Sequence, residues 1–99
     1  MTPPVVIARD VTSTVAEFDA SLRTAVRAAG AQLSGAMPRY RVHAGDVQLD
    51  VAIEPGPERR IALVRLPTLL ATYSFTGGTA AAQRALLASL DRAMHRGGG

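Results

Sequence analysis

Asp91 and His95 stand four apart near the end of the chain, the spacing at which a helix brings a carboxylate beside an imidazole. Such a pair orients a general base only where a nucleophile and a pocket accompany it. No third member is evident, so the spacing reads as a surface ion pair. Arg39, Arg41 and His43 alternate, so a strand would point them to one face as a basic row suited to an anion or a nucleic-acid backbone. Asp50 and Glu54, expected on the next strand, neutralise part of that row. No exposed aromatic is expected there to stack on a base. Thr76-Gly77-Gly78-Thr79 leads from a strand into a helix, where free amides can hold a phosphate or carboxylate, although the same glycines serve a sharp turn. The candidate anion-binding residues are therefore Arg39, Arg41, His43, Gly77, Gly78 and Thr79.

Composition closes other routes. The chain has 99 residues, enough for one domain that buries roughly 60% of its unfolded surface. Apolar residues make up 47% and charged residues 19%, the balance of a globular chain. Cysteine is absent, which removes disulfides, thiolate zinc sites and thiol nucleophiles. All 11 basic residues are arginine, so a phosphate-loop lysine and a Schiff-base lysine are excluded. With only two histidines, no metal and no cofactor are expected. The arginine and alanine bias is that of a GC-rich, bacterial coding sequence and bears on codons alone. A formal charge of +3 is ordinary solubility charge and a weak argument for nucleic acid. No basic leader and no apolar run of about 20 residues is visible, so a cytoplasmic protein without membrane contact is expected.

The elements that must position these residues follow from periodicity. Val5-Val6-Ile7-Ala8 reads as a first strand. Thr14 and Glu17 fit a capping box, and Val15, Phe18, Leu22, Ala25, Val26 and Ala29 form one helical stripe, which predicts a helix over 14–29. Residues 30–37 read as a connection. Strands are expected over 38–44, 47–54, 59–66 and 69–76, with turns at Gly45-Asp46, Pro55-Gly56-Pro57-Glu58 and Pro67-Thr68. A last helix is expected over 79–95 with an apolar stripe of Ala82, Leu86, Leu87, Leu90, Ala93 and Met94. Arg84, Asp91, Arg92, His95 and Arg96 form its solvent side.

Those turns set residue 44 opposite 47, 54 opposite 59, and 66 opposite 69. One face then collects Tyr40, Val42, Ala44, Val47, Leu49, Val51, Ile53, Ala62, Val64, Leu66, Leu69, Ala71, Tyr73 and Phe75. On the other face Arg41 meets Asp50, His43 meets Gln48, and Glu54 meets Arg59. Ala52, Ile61, Leu63 and Leu70 would form an uncovered apolar centre there, rimmed by Arg65 and other charges, which is the anatomy of a protein contact.

The expected fold class is α+β: a two-layer sandwich in the order β-α-β-β-β-β-α, with an antiparallel meander sheet and both helices on one face. Residues 1–96 form the domain and 97–99 a flexible glycine tail. The order resembles a half-repeat of the TATA-box-binding-protein fold, which implies an architecture and no activity. Gly98-Gly99 resembles the terminal diglycine of ubiquitin-like sulfur carriers and would imply a carrier protein as a remote alternative. The function expected is that of a small non-catalytic interaction module, a homodimer joined through Ala52, Ile61, Leu63, Leu70 and Arg65. The alternative is an anion or nucleic-acid binder using Arg39, Arg41 and Arg65.

Overall fold

A computed structural model describes residues 5–97, the side chains of residues 95–97 excepted. The order is β1 (Val5–Thr12), α1 (Val15–Ala28), β2 (Gln32–Ala36), β3 (Arg39–Ala44), β4 (Val47–Pro55), β5 (Arg59–Ile61), β6 (Val64–Leu66), β7 (Thr68–Thr76) and α2 (Ala80–Gly97). Five strands form one antiparallel sheet in the order β1-β7-β4-β3-β2, and β5 and β6 form a separate two-stranded hairpin. Counting only the main sheet, the order is β-α-β-β-β-β-α, an α+β sandwich with both helices on one face.

β1 and β2 are the two edges of the sheet, and α1 carries the chain from one to the other. Four interstrand gaps of about 4.8 Å span roughly 19 Å. The 14 residues of α1 rise about 21 Å, so the helix just bridges the sheet. It starts where its sequence says it should. The Thr14 hydroxyl accepts from the Glu17 amide at 3.1 Å, and the Glu17 carboxylate accepts from the Thr14 amide at 3.0 Å. These hydrogen bonds hold the Glu17 carboxyl below the usual range.

The alternation of β3, β4 and β7 builds the core. Phe75, Leu49 and Val42 lie side by side, as do Tyr73, Val51 and Tyr40. Phe18, Leu22, Ala25 and Val26 of α1 and Leu86 and Leu90 of α2 close over them. Each fully buried large apolar side chain in this set contributes about 1.5–3 kcal/mol. Gly45, with φ at +59°, makes the two-residue turn that sets Ala44 opposite Val47.

Three expectations are corrected. Residues 30–37 are not all connection, because Gln32–Ala36 forms β2 on the free edge of β3. The first strand continues past Ala8 to Thr12. Residues 59–66 are not a strand of the sheet. β4 pairs directly with β7, setting Pro55 opposite Leu69 and Glu54 opposite Leu70. Arg59 therefore faces Leu66 within the small hairpin, not Glu54. The reason is positional. Pro57 and Pro67 lack an amide hydrogen, so they cannot extend either ladder, and the segment between them leaves the sheet. Ala62 and Val64 consequently point to solvent and not into the core, and Leu66 is half-buried.

Candidate interaction site

The expected apolar centre divides between two elements. Ala52 on β4 and Leu70 on β7 lie half-buried on the open face of the sheet, opposite the helices. Ile61, Leu63 and Arg65 lie on the hairpin of residues 56–67, which projects from the end of the sheet as an arm. Its strands pair with each other, Arg59 with Leu66 and Ile61 with Val64. The Gly56 amide donates to the Thr68 carbonyl at 2.9 Å and closes the arm's base, where the Thr68 hydroxyl also donates to the Pro57 carbonyl.

The arm is amphipathic by pairing. Cross-strand partners share a face, so Arg59, Ile61, Val64 and Leu66 lie on one side and Arg60 and Arg65 on the other. Leu63 at the tip is 100% exposed, Ile61 56% and Val64 55%. Ala62 holds φ at +54°, a left-handed conformation that L-residues rarely adopt, and this turn presents Leu63 outward. Arg65 lies 3.7 Å from Glu58, whereas Arg59 and Arg60 have no ion-pair partner among the described residues. Three arginines against one glutamate give the arm two of the chain's three net positive charges.

Beside the arm's base is an apolar notch of about 280 Å³, lined by Val15, Met37, Pro38, Ile53, Pro55 and Leu69, with Glu54 on its rim. Pro55 and Leu69 flank the arm directly, so arm and notch occupy the same end of the molecule. Sequence reasoning missed this feature. Its signal was present as apolar residues and prolines at the ends of neighbouring strands, but their convergence depends on the sheet order.

The open sheet face carries a second concavity of about 550 Å³ with a mixed lining, where Arg39, Arg41 and Asp50 stand beside Ala52, Thr72 and Ser74. Arg41 Nε donates to Asp50 Oδ1 at 2.9 Å, as their cross-strand pairing predicts. Arg39 forms no ion pair among the described residues. His43 is exposed on this face opposite Gln48. Arg65 belongs to the arm and does not border this concavity, so Arg39, Arg41 and Arg65 are not gathered in one place.

The remaining candidates have local explanations. Thr79 Oγ1 accepts from the Ala82 amide at 3.0 Å, so the start of α2 is capped by its own residue. Gly77 and Gly78 hold φ at +74° and +65° against the β3–β4 turn, where a Cβ on Gly78 would stand 2.6 Å from Val47 Cγ2. Asp91 does not face solvent alone, because its carboxylate accepts from Arg9 of β1, whose guanidinium also lies 5.8 Å from the centre of the Tyr73 ring. The His95 side chain lies outside the described residues, as do Gly98 and Gly99. The expected flexible tail and the diglycine likeness therefore fall there, while Gly97 is the last residue of α2.

Among the described residues no cluster of three or more His, Asp or Glu side chains could hold a metal ion. No helix among them is long and apolar enough to cross a membrane. No protein-family model, no curated protein and no solved structure matches the chain.

Proposed function

We propose that this chain is a small interaction module that self-associates, with the β5–β6 arm as its contact element. The observation that carries the reading is the fully exposed Leu63 at the tip, with Ile61 and Val64 half-exposed beside it. An isolated two-stranded hairpin is marginal in water. An arm that also holds Ala62 in a strained conformation and shows its apolar side chains to solvent is suited to a partner surface that would bury them. A second copy is the first partner to consider, since closed two-fold dimers are the commonest assemblies of soluble chains. A cysteine-free, arginine-rich domain suits a bacterial cytoplasm.

The rival reading, an anion or nucleic-acid binder, draws support from Arg39, which has no ion-pair partner among the described residues, and from the basic arm. Against it, Arg41 is engaged by Asp50 and Arg65 lies near Glu58. Analytical ultracentrifugation at micromolar concentration separates the two. The wild type is expected to sediment as a dimer and Leu63→Glu as a folded monomer. A wild type that stays monomeric at every accessible concentration removes the self-association reading, and salt-sensitive retention on heparin would then favour the rival.

A further inference from the structure

We infer that the arm is a site of limited proteolysis: an arginine-specific endopeptidase cuts the Arg60–Ile61 bond and leaves two fragments that stay folded together. This goes beyond the self-association reading and does not depend on it.

Composition makes such a cut selective. The chain has 11 arginines and no lysine, so an enzyme that cleaves after basic residues has few bonds to choose from. Arg59, Arg60 and Arg65 lie on the arm, and the others lie in strands of the main sheet or in the two helices. A protease acts on a locally opened, extended segment. The sheet strands and helices can supply one only by giving up the core they build. The arm gives up far less. β5 and β6 are three residues each, pair only with one another, and are exposed along their length except at the half-buried Leu66. So short a hairpin is marginal in water and opens while the rest stays folded. Opening also relieves the left-handed conformation of Ala62, two residues past Arg60.

Within the arm, Arg60 is the best placed. Arg59 follows Pro57-Glu58, and Arg65 stands 3.7 Å from Glu58 and precedes Leu66-Pro67. Arg60 has no ion-pair partner among the described residues, and Ile61-Ala62-Leu63 after it contains neither acid nor proline. Water adds across the Arg60–Ile61 peptide bond, leaving a carboxylate on Arg60 and an ammonium group on Ile61.

The topology holds the two products together. Residues 1–60 carry β1, α1, β2, β3 and β4, and residues 61–99 carry β7 and α2. β7 lies between β1 and β4, both from the first fragment, so it cannot leave without opening the middle of the sheet. Tyr73, Phe75, Leu86 and Leu90 of the second fragment share one core with Phe18, Leu22, Leu49 and Val51 of the first. The Gly56 amide still donates to the Thr68 carbonyl across the arm's base.

Trace trypsin on the full chain at sub-micromolar concentration tests this. The first cut that divides the chain is expected after Arg60. Denaturing mass spectrometry then shows residues 1–60 and 61–99, whereas native mass spectrometry shows the uncut mass plus one water. The circular dichroism of the nicked species should match that of the uncut chain. The variant Arg59→Gln/Arg60→Gln/Arg65→Gln, and separately a chain with Asn-Gly in place of residues 57–67, should resist division by roughly tenfold or more. A first dividing cut in the main sheet or a helix, or a triple variant divided as fast as wild type, overturns the site. A first cut after Arg59 or Arg65 overturns the choice of bond and keeps the arm. Fragments that separate or lose their circular dichroism overturn the folded product. A cut that slows at high micromolar concentration reports a second copy on the arm, and a constant rate counts against the self-association reading alone.

Discussion

Raising the pH from about 8 to about 12 should destabilise this protein through its two tyrosines. Tyr73 lies in the core beneath Arg9, its hydroxyl directed at Met94 Sδ 4.0 Å away. Burial, with the negative charge of Asp91 nearby, pushes its phenol up to about 12, against an opposing pull from Arg9. Tyr40 is likewise pushed up to about 12, by burial first and then by donating its hydroxyl to Asp19 Oδ1 at 2.8 Å. Below the unfolded value of about 10 both states keep the proton, and the full stability is present. Between about 10 and 12 the unfolded chain releases its phenolic protons first, so stability is lost as pH rises through the folded value. Two pH units at about 1.4 kcal/mol each give roughly 3 kcal/mol for Tyr73. Tyr40 contributes less, about 1–2 kcal/mol, because its hydroxyl meets a carboxylate that solvent still reaches. The sum is a large share of the roughly 5–15 kcal/mol that holds a domain together. Composition keeps the window clear, since the chain has no lysine and no cysteine to titrate within it. Urea unfolding followed by circular dichroism at about pH 8, about pH 10 and about pH 11.5 measures the slope, and tyrosinate absorbance reports the phenols directly. The double variant Tyr40→Phe/Tyr73→Phe should flatten it. Folded-state tyrosinate that appears near pH 10, with no change in the urea midpoint, would refute the reasoning.

Two further outcomes test the fold. Gly77→Ala forces a side chain into the left-handed region, at φ +74°, and against the Asp46 carbonyl, so a loss of about 2 kcal/mol or more is expected. A urea midpoint within error of wild type would contradict the account of that turn. Replacing residues 57–67 by Asn-Gly, which joins Gly56 to Thr68 through a two-residue hairpin, should leave the sandwich folded, with stability within about 1 kcal/mol of wild type, and abolish the dimer. Unfolding of that variant would show that the arm belongs to the core.

Much of this molecule was legible from short-range pattern. Thr14 and Glu17 announce α1, and the spacing of Phe18, Leu22, Ala25 and Val26 names its buried face. Alternation along 39–44, 47–55 and 68–76 names the inward residues Val42, Leu49, Val51, Tyr73 and Phe75 correctly, and Gly45-Asp46 sets one register without error. These are properties of three or four neighbouring residues, and backbone geometry enforces them wherever the segment ends up.

Partner choice was not legible, because strands compete for edges that lie far apart in the chain. Residues 59–66 alternate as a sheet strand should, yet β4 bonds to β7. Leu49, Val51 and Ile53 beside Phe75, Tyr73 and Ala71 form a ladder that meets proline only at its end, at Pro55, and that both helices cover. Gln32–Ala36 has little strand character of its own and becomes β2 because β3 offers it a free edge. Asp91 finds Arg9, 82 residues away, only because α2 lies along β1. The site follows the same division. That Ile61 and Leu63 are apolar and bracketed by proline is written in the chain, but their place on a projecting arm beside an apolar notch arises from which strands won the contest for hydrogen-bonding partners.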